Sequence, residues 1–515
     1  MKVTFVFPDW VDVESTVEHD KKGFGIGHFH FGIATLSAVL KDNGIETDLL
    51  HITCRPEETA FKKTIKEKTN SEIFAFSFTQ VEYEWVKEMN KWIKEVNTEL
   101  FTIGGGTYPT LFPLNALRDI RLDAVCIGEG EKALLKLCRS RSRNPVDTEI
   151  KNIWFYRENN IIKNPTGEIT EDLDDLPKYD YDLFRPEKLK IFSSNLPRIY
   201  YLCTRNCVYG CRFCSNHAKR KAYNCGKSYV RKFSPQRVIN DLKYYLEKFP
   251  MVKVVHFADE IIHFDKPWFK DLMTLYKKEI DLPWRSYAML KNVDTEVADI
   301  MKKSNCTRVN CGIEAGTQRI RDLYNRPRIS NEQIIKRIKL LRENSIDVHS
   351  STLLNAPTEK LNEMLDTIKL AAKSGTDIAL TGIVVPYPGT KLHKIAHETR
   401  LFNNLKVENT GVSIMPADTT EEKVLFLFAA YRLLVETYKF IYRQNKAVQK
   451  ITIPILDSLI KSRYLPHKFL ISMREKYFKG RILNLEYRRT ETSLGRQEKD
   501  LQEAVKTISP AGQTV

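Results

Sequence analysis

The chain reads as an α/β protein in three parts: an N-terminal doubly wound, Rossmann-like sheet, a partial (β/α)6 barrel of the TIM type, and a mainly helical C-terminal region. Three observations predict this. Short apolar runs of strand length alternate with amphipathic stretches over residues 1–140, the alternation resumes over residues 197–390, and from Thr420 onward helical periodicity replaces it. Buried-type strands separated by helices indicate parallel sheets, because each parallel connection needs a crossover, usually a helix, to return the chain.

In the first part the strand-length runs are Lys2–Phe7, Thr47–Ile52, Glu72–Phe78, Leu100–Ile103 and Ala124–Ile127, with helices expected at Ile33–Asn43 and Val81–Val96. Ligands of such sheets collect at the carboxyl ends of the strands. Two glycine loops fall there: Gly104-Gly105-Gly106-Thr107 after the fourth strand and Gly128-Glu129-Gly130-Glu131 after the fifth. Glycine lets the backbone approach a ligand closely or adopt positive φ, so each loop is either a ligand cradle or a tight strand-to-helix turn. A hairpin follows, Asn152–Tyr156 with Ile161–Lys163, and then a polar, acidic linker containing Asp172-Leu173-Asp174-Asp175-Leu176-Pro177.

In the second part strands are expected at Arg198–Cys203, Val252–Ala258, Trp284–Met289, Arg308–Ile313, Val348–Asn355 and Ile378–Val385. Helices at Pro235–Phe249, Trp268–Glu279, Asn331–Asn344 and Asn362–Lys373 separate them. Six units are fewer than the eight of a closed barrel, and the chemistry of such barrels lies at the C-terminal strand ends. The expected divisions are 1–145 for the first sheet, 146–190 for hairpin and linker, 191–400 for the barrel, 401–490 for the helical domain and 491–515 for a polar, disordered tail.

A hydrophobic content of 42% and a charged content of 28% suit a soluble globular protein. The opening Met-Lys-Val-Thr-Phe-Val-Phe has no signal-peptide pattern, and no stretch approaches the ~18 apolar residues of a membrane span. A cytoplasmic protein without a transmembrane segment is expected, its ten cysteines reduced. Net charge is +16, and residues 421–515 hold 18 Lys+Arg against 10 Asp+Glu. That excess is a solvated helical surface or a surface for an anionic partner. Nothing in the chain reads as an RNA-binding appendage, so nucleic acid is not an expected partner.

The densest chemistry is Asn-Cys-Val-Tyr-Gly-Cys-Arg-Phe-Cys-Ser, directly after the first barrel strand, with Cys207, Cys211 and Cys214 in C-x3-C-x2-C spacing. Three thiolates on a four-iron cluster leave one iron free to bind a small molecule. Zinc is the competing reading, since His217 completes C-x3-C-x2-C-x2-H as a tetrahedral set. Zinc ligands, however, usually come from two separate pairs, and these come from one stretch.

This loop, with aromatic Phe213 before its third cysteine, resembles the motif of the radical S-adenosylmethionine (SAM) superfamily. The resemblance implies a [4Fe-4S] cluster on Cys207, Cys211 and Cys214, SAM on its open iron, and Phe213 near the adenine. It extends to Phe257-Ala258-Asp259-Glu260, Gly312-Ile313-Glu314-Ala315-Gly316 and Pro386-Tyr387-Pro388-Gly389-Thr390 at later strand ends. It also covers Leu354-Asn355-Ala356-Pro357-Thr358-Glu359, where Asn355 and Thr358 stand at positions commonly glycine. Asp259, Glu260, Glu314 and Pro357 are thereby implied at the SAM site. Gly104–Thr110 and Ile127–Glu131 resemble the cobalamin (B12)-binding domain fused to one subclass, which implies Gly104, Gly105, Gly106, Thr107, Gly128, Glu129, Gly130 and Glu131 as cobalamin contacts. The Asp-x-His-x-x-Gly motif that supplies a cobalt ligand elsewhere is absent. His28 and His30 are the nearest substitutes, and a hydrogen-bonded structural role suits them better. Cys203, Cys225 and Cys311 read as packing residues, with hydrogen-atom donation or ligation of a second cluster as the functional alternatives.

The implied function is SAM cleavage to a 5′-deoxyadenosyl radical with cobalamin-dependent methylation of an unactivated carbon. The implied partners are a small-molecule or natural-product substrate and an electron donor such as flavodoxin or ferredoxin. No acid–base residue is singled out. The alternatives are an oxidative cyclase or ring-rearranging enzyme with the same cofactors, and a metal-stabilised nucleic-acid or protein-binding module.

Overall fold

Strand β1 (Lys2–Pro8) is apolar on both faces: Val3 and Phe5 enter one core and Val6 the other. That places it centrally in a sheet covered on both sides. In the computed structural model, which describes residues 1–9, 27–68, 70–141, 147–194, 196–399, 401, 413–462 and 464, β1 pairs in parallel with β2 (Glu46–Ile52) and β3 (Ile73–Ser77). Parallel β4 (Phe101–Gly105) and β5 (Ala124–Cys126) extend the sheet. Helices Phe31–Asp42 and Glu131–Arg141 feed one core, and helices Glu58–Glu67, Tyr83–Val96 and Pro113–Arg118 feed the other. The hairpin β6 (Ile153–Arg157) and β7 (Asn160–Ile162) is not a separate bridge. It completes the same sheet, β6 lying antiparallel to β5.

The barrel sheet contains β8 (Arg198–Tyr201), β11 (Val254–Phe257), β12 (Trp284–Ala288), β13 (Cys306–Glu314), β14 (Asp347–Leu354) and β15 (Ile378–Ile383), all parallel, ordered β15-β14-β13-β12-β11-β8. A small antiparallel ladder, β9 (Thr204–Arg205) with β10 (Arg231–Lys232), flanks the cysteine loop. The outer helices start on side-chain caps: Ser234, Asp265, Asp294 and Ser330 each accept a backbone N–H of the first turn, the last in a capping box with Gln333.

Both sheets lie in one compact unit, Met1–Ala417, and share one hydrophobic core. The segment expected to be a polar linker helps to join them. Its aspartates alternate with Leu173, Leu176, Tyr179 and Tyr181, which are all buried. Tyr181 stacks on Phe29 at 3.9 Å between ring centroids, and the Tyr179 hydroxyl donates to Leu202 O at 2.9 Å. Tyrosine does this well because its ring packs while its hydroxyl finds a carbonyl. The second unit, Asp418–Val515, is described through helices Glu421–Tyr442 and Lys446–Lys461, which form a hairpin closed by Lys423 Nζ donating to Lys461 O at 2.6 Å. The disordered tail expected over 491–515 lies outside the described residues. Among the described residues no helix is long and apolar enough to cross a membrane.

After β14 the turn is strained: Asn355 and Thr358 both sit at φ +66, the left-handed region that glycine adopts without cost. Asn355 is held by its Nδ2 donating to Ile414 O at 2.8 Å, and Thr358 by Arg319. Glu359 closes the turn, fully buried, one oxygen accepting the Ala356 N–H at 2.8 Å. Burial pushes its carboxyl up to about 8. Between pH 5 and 8 the folded protein therefore keeps a proton that the unfolded chain has released, and stability falls as pH rises. Glu359→Gln keeps the acceptor without the charge. Urea unfolding should show this variant gaining about 3 to 4 kcal/mol on the wild type between pH 5 and 8.

Candidate active site

The cysteine loop is pinned from every side. Cys203 N and Thr204 Oγ1 donate to the two oxygens of Asp259 at 3.1 and 2.6 Å, fixing the exit from β8. Asn206 takes φ +68 and donates from Nδ2 to Tyr229 O at 2.8 Å. Within the loop Asn325 donates to Gly210 O, Arg212 N to Tyr324 O, and the Tyr209 hydroxyl to Asn292, each at 2.8 Å. Helix Ser215–Tyr223 starts directly after Cys214.

Cys207, Cys211 and Cys214 are free thiols, Cys211 buried and the others half-buried. Burial pushes Cys207 up to about 11 and Cys214 above its usual range, so both stay protonated until a metal displaces the protons. Among the described residues no three His, Cys, Asp or Glu side chains form a group suited to a single ion, as zinc on these cysteines and His217 requires. Thiols spread along a pinned loop suit a cluster, whose irons each take one thiolate.

A cavity of ≈ 410 Å³ opens beside this loop. One wall is the carboxyl edge of the N-terminal sheet, with Ser77, Gly105, Gly106, Thr107 and Gly128–Glu131. The other is built by residues that flank the cysteines: Thr204, Arg205, Asn206, Asn216, Lys219, Tyr223 and Glu260. Phe7, Phe31, Phe76, Phe78 and Ile103 make the floor apolar. The glycines differ in what they do. A Cβ at Gly105 would meet only Phe76 O at 3.8 Å, so the space above it is open. Gly106 has φ +94, and a Cβ there would lie 2.8 Å from Phe78 O. Gly104 does not line the cavity, because a Cβ on it would strike Leu122 at 2.6 Å inside the core. An apolar floor suits the flat face of a corrin ring, and backbone-exposing glycines with a few hydroxyls suit the polar amide rim of cobalamin.

Glu129 and Glu131, expected as cofactor contacts, line the cavity and also pair with arginines. Glu129 pairs with Arg231 and with Arg205 (3.2 Å), and Glu131 pairs with Arg205 at 2.6 Å. These arginines hold the Glu129 carboxyl below its usual range despite burial. His28 pairs with Asp9 at 3.0 Å, away from the cavity. His30 lines the cavity, but its Nδ1 accepts the Ile33 N–H, and Nε2 lies 3.3 Å from Ser77 Oγ. Its enclosed position pushes it down to about 4. It caps a helix.

The residues expected around SAM separate into different settings. Asp259 is fully buried and occupied by Cys203 and Thr204, and burial raises it to about 6. Glu260 lines the cavity and accepts from Asn216 at 2.9 Å. Glu314 sits at φ +63 on a bulge of β13, its carboxylate 3.5 Å from Arg326. Gly312 makes room for it, since a Cβ there would lie 2.0 Å from Glu314 Oε1. Phe213 packs edge-on against Tyr324, in an apolar cluster with Ala315, Ala356 and Val384 from three strand ends. Pro357 is buried in the turn after β14. Arg326 escaped the sequence reading. Its guanidinium reaches Cys211 Sγ, Met289 Sδ and Gly312 O at 3.5, 3.5 and 3.1 Å. No periodicity marks such a residue, and only the fold brings it to the cysteines.

Two family models match the chain: the radical SAM superfamily over residues 201–371 and the B12 binding domain over residues 25–137. The chain carries a radical SAM domain together with a B12-binding domain. It is an enzyme of the class that carries a B12-binding domain, and its cofactors are a [4Fe-4S] cluster, SAM and cobalamin. The reading as a metal-stabilised binding module is thereby set aside. This radical SAM enzyme is 28% identical over 412 residues to the uncharacterized methyltransferase PH0819 of Pyrococcus horikoshii, spanning 79% of this chain and 84% of the relative. It is 26% identical over 334 residues to the cytidylyl-2-hydroxyethylphosphonate methyltransferase of Streptomyces wedmorensis, spanning 58% and 61%. In fold it is similar to the cobalamin-dependent radical SAM enzyme OxsB with aqua-cobalamin and SAM bound (TM-score 0.67, 14% identity, 99% of this chain and 82% of that one). It is also similar to the radical SAM methyltransferase TsrM of Kitasatospora setae with cobalamin and a [4Fe-4S] cluster bound (TM-score 0.60, 16% identity, 77% and 75%).

Glu129→Gln leaves Arg231 and Arg205 short of a counter-charge in a buried place. Urea unfolding of the full chain should show a loss of about 3 kcal/mol, the scale for breaking a buried pair.

Proposed function

We propose that this enzyme methylates an unactivated carbon of a small-molecule or natural-product substrate. When bound, the cluster with SAM supplies a 5′-deoxyadenosyl radical that takes a substrate hydrogen atom, and cobalamin supplies the methyl group. The observation that carries the reading is the single cavity walled by the glycine loops on one side and by the neighbours of Cys207 and Cys214 on the other. Both cofactors then face one space.

In this reading Cys207, Cys211 and Cys214 hold the cluster, and the hydrogen bonds donated by Asn325 and accepted by Tyr324 O and Asn292 keep the loop from shifting as charge changes. Phe213, Glu260, Glu314 and Pro357 border the SAM site, with Arg326 positioning Glu314. Gly105, Gly106, Thr107, Gly128 and Gly130 let the corrin approach the backbone, while the aromatic floor excludes water from reactive species. Asp259 acts through the loop it braces. The free state of all ten cysteines supports a reducing, cytoplasmic setting, where a flavodoxin or ferredoxin would deliver the electron.

Methyltransferase relatives favour methylation. Oxidative cyclisation is the second reading, favoured by 22% identity over 384 residues to the anaerobic magnesium-protoporphyrin IX monomethyl ester cyclase of Rubrivivax gelatinosus. Product mass separates them: a gain of one CH₂ supports methylation, and a loss of hydrogens supports cyclisation. After anaerobic reconstitution the wild type should convert SAM to 5′-deoxyadenosine. Replacing Cys207, Cys211 and Cys214 with Ala should abolish both iron–sulfide incorporation and this cleavage, and retained cleavage would refute the assignment.

A further inference from the structure

On the concave face of the barrel one row of side chains crosses five strands in register: Tyr200 on β8, His256 on β11, Arg285 on β12, Arg308 on β13 and Asp347 on β14. Arg198 stands two residues before Tyr200 on the same strand face. Trp284 turns outward, its indole donating to Ser304 O at 2.7 Å, so Arg285 and Tyr287 take the inner face. His256 confirms the side, its ring lying 4.7 Å from Tyr200 and 5.7 Å from Tyr287.

Three guanidinium groups thus face one carboxylate. Asp347 lies 3.6 Å from Arg308, and Arg198 lies over the Tyr200 ring at 5.8 Å. Arg285 is 5% exposed and makes no hydrogen bond or ion pair with any described residue. Arg308 on the adjacent strand sits only ~4.8 Å away at the backbone, so a like charge adds repulsion to the desolvation cost, offset in part by the attraction of Asp347. Burial, reinforced by Arg308 and Arg198, pulls Arg285 down to about 9. The same burial and the three arginines pull His256 to about 3, leaving a neutral imidazole able to donate one N–H.

We propose that this row binds a dianionic phosphoryl group of the substrate, held between Arg198, Arg285 and Arg308 with His256 as a further donor. A carboxylate is satisfied by one guanidinium fork, whereas three cations less one aspartate match a doubly charged oxyanion. Arg285 and Arg308 precede Met289 and Gly312 by four residues, and Arg326 contacts both of these at the strand ends. The anion would therefore sit ~13 Å below the mouth, and the substrate would extend upward by that length to present its reacting carbon.

The inference takes the barrel interior as the substrate side, as in the proposed methylation, and its test needs no cluster, cobalamin or SAM. Thermal unfolding of the full chain is followed in inorganic phosphate and, at equal ionic strength, in acetate. Phosphate should raise the midpoint of the wild type and acetate should not. Arg285→Met should raise the midpoint in the absence of phosphate, because an unpaired buried charge is removed, and weaken the phosphate half-saturation by about tenfold or more. Arg198→Gln, at a half-buried position, should weaken phosphate binding while leaving the phosphate-free midpoint close to wild type. Equal responses to acetate and phosphate, or no response to phosphate, would overturn the proposal. So would an Arg285→Met variant that loses stability without phosphate, since the arginine would then be paired within the chain. None of these outcomes bears on SAM cleavage, so the two readings fail separately.

Discussion

The cofactor cavity depends on four charged side chains. Glu129 and Glu131 leave the carboxyl end of one sheet, while Arg205 and Arg231 stand opposite each other on the short ladder beside the cysteine loop of the other. Desolvating such groups is costly unless their hydrogen-bonding capacity is met. Here Glu129 accepts from both arginines and from Thr170 N at 3.1 Å, and Arg231 donates in turn to Thr170 O. Its contribution is register more than net stability: it sets the glycine loops against the residues flanking Cys207 and Cys214.

Around that clamp the walls divide their work. The floor is aromatic and aliphatic, and most of the polar rim comes from residues whose side chains are already hydrogen-bonded. Asn216 holds Glu260, Thr204 and Cys203 hold Asp259, and Gly312 gives way to Glu314. A site built this way is positioned before any cofactor arrives. That suits chemistry in which orientation and exclusion are the protein's main contribution.

Much of this was legible in the sequence, and the failures have physical causes. Strand runs and their order could be read because parallel strands buried on both faces are apolar throughout, and the cysteine spacing identified its loop. The linker over 172–181 misled because its aspartates are visible in composition, while the inward phase of Leu173, Leu176, Tyr179 and Tyr181 is not. Adjacent Asp259 and Glu260 look equivalent on paper, but Asp259 is fully buried on Cys203 and Thr204 whereas Glu260 lines the cavity. That Glu129 and Glu131 also pair with arginines could not be read from their loop, because Arg231 and Arg205 lie 102 and 74 residues further along. Arg285 carried no motif, and only the lateral register of five strands shows it buried without a hydrogen-bonding partner among the described residues.

In the proposed function the cluster and cobalamin face one shared space between the two sheets. Electron paramagnetic resonance of the reconstituted enzyme, with the cluster reduced and cobalt in the divalent state, tests it directly. The account predicts that each spectrum is broadened and relaxes faster when the other centre is present. Spectra that add without mutual effect would place the two cofactors apart and contradict it.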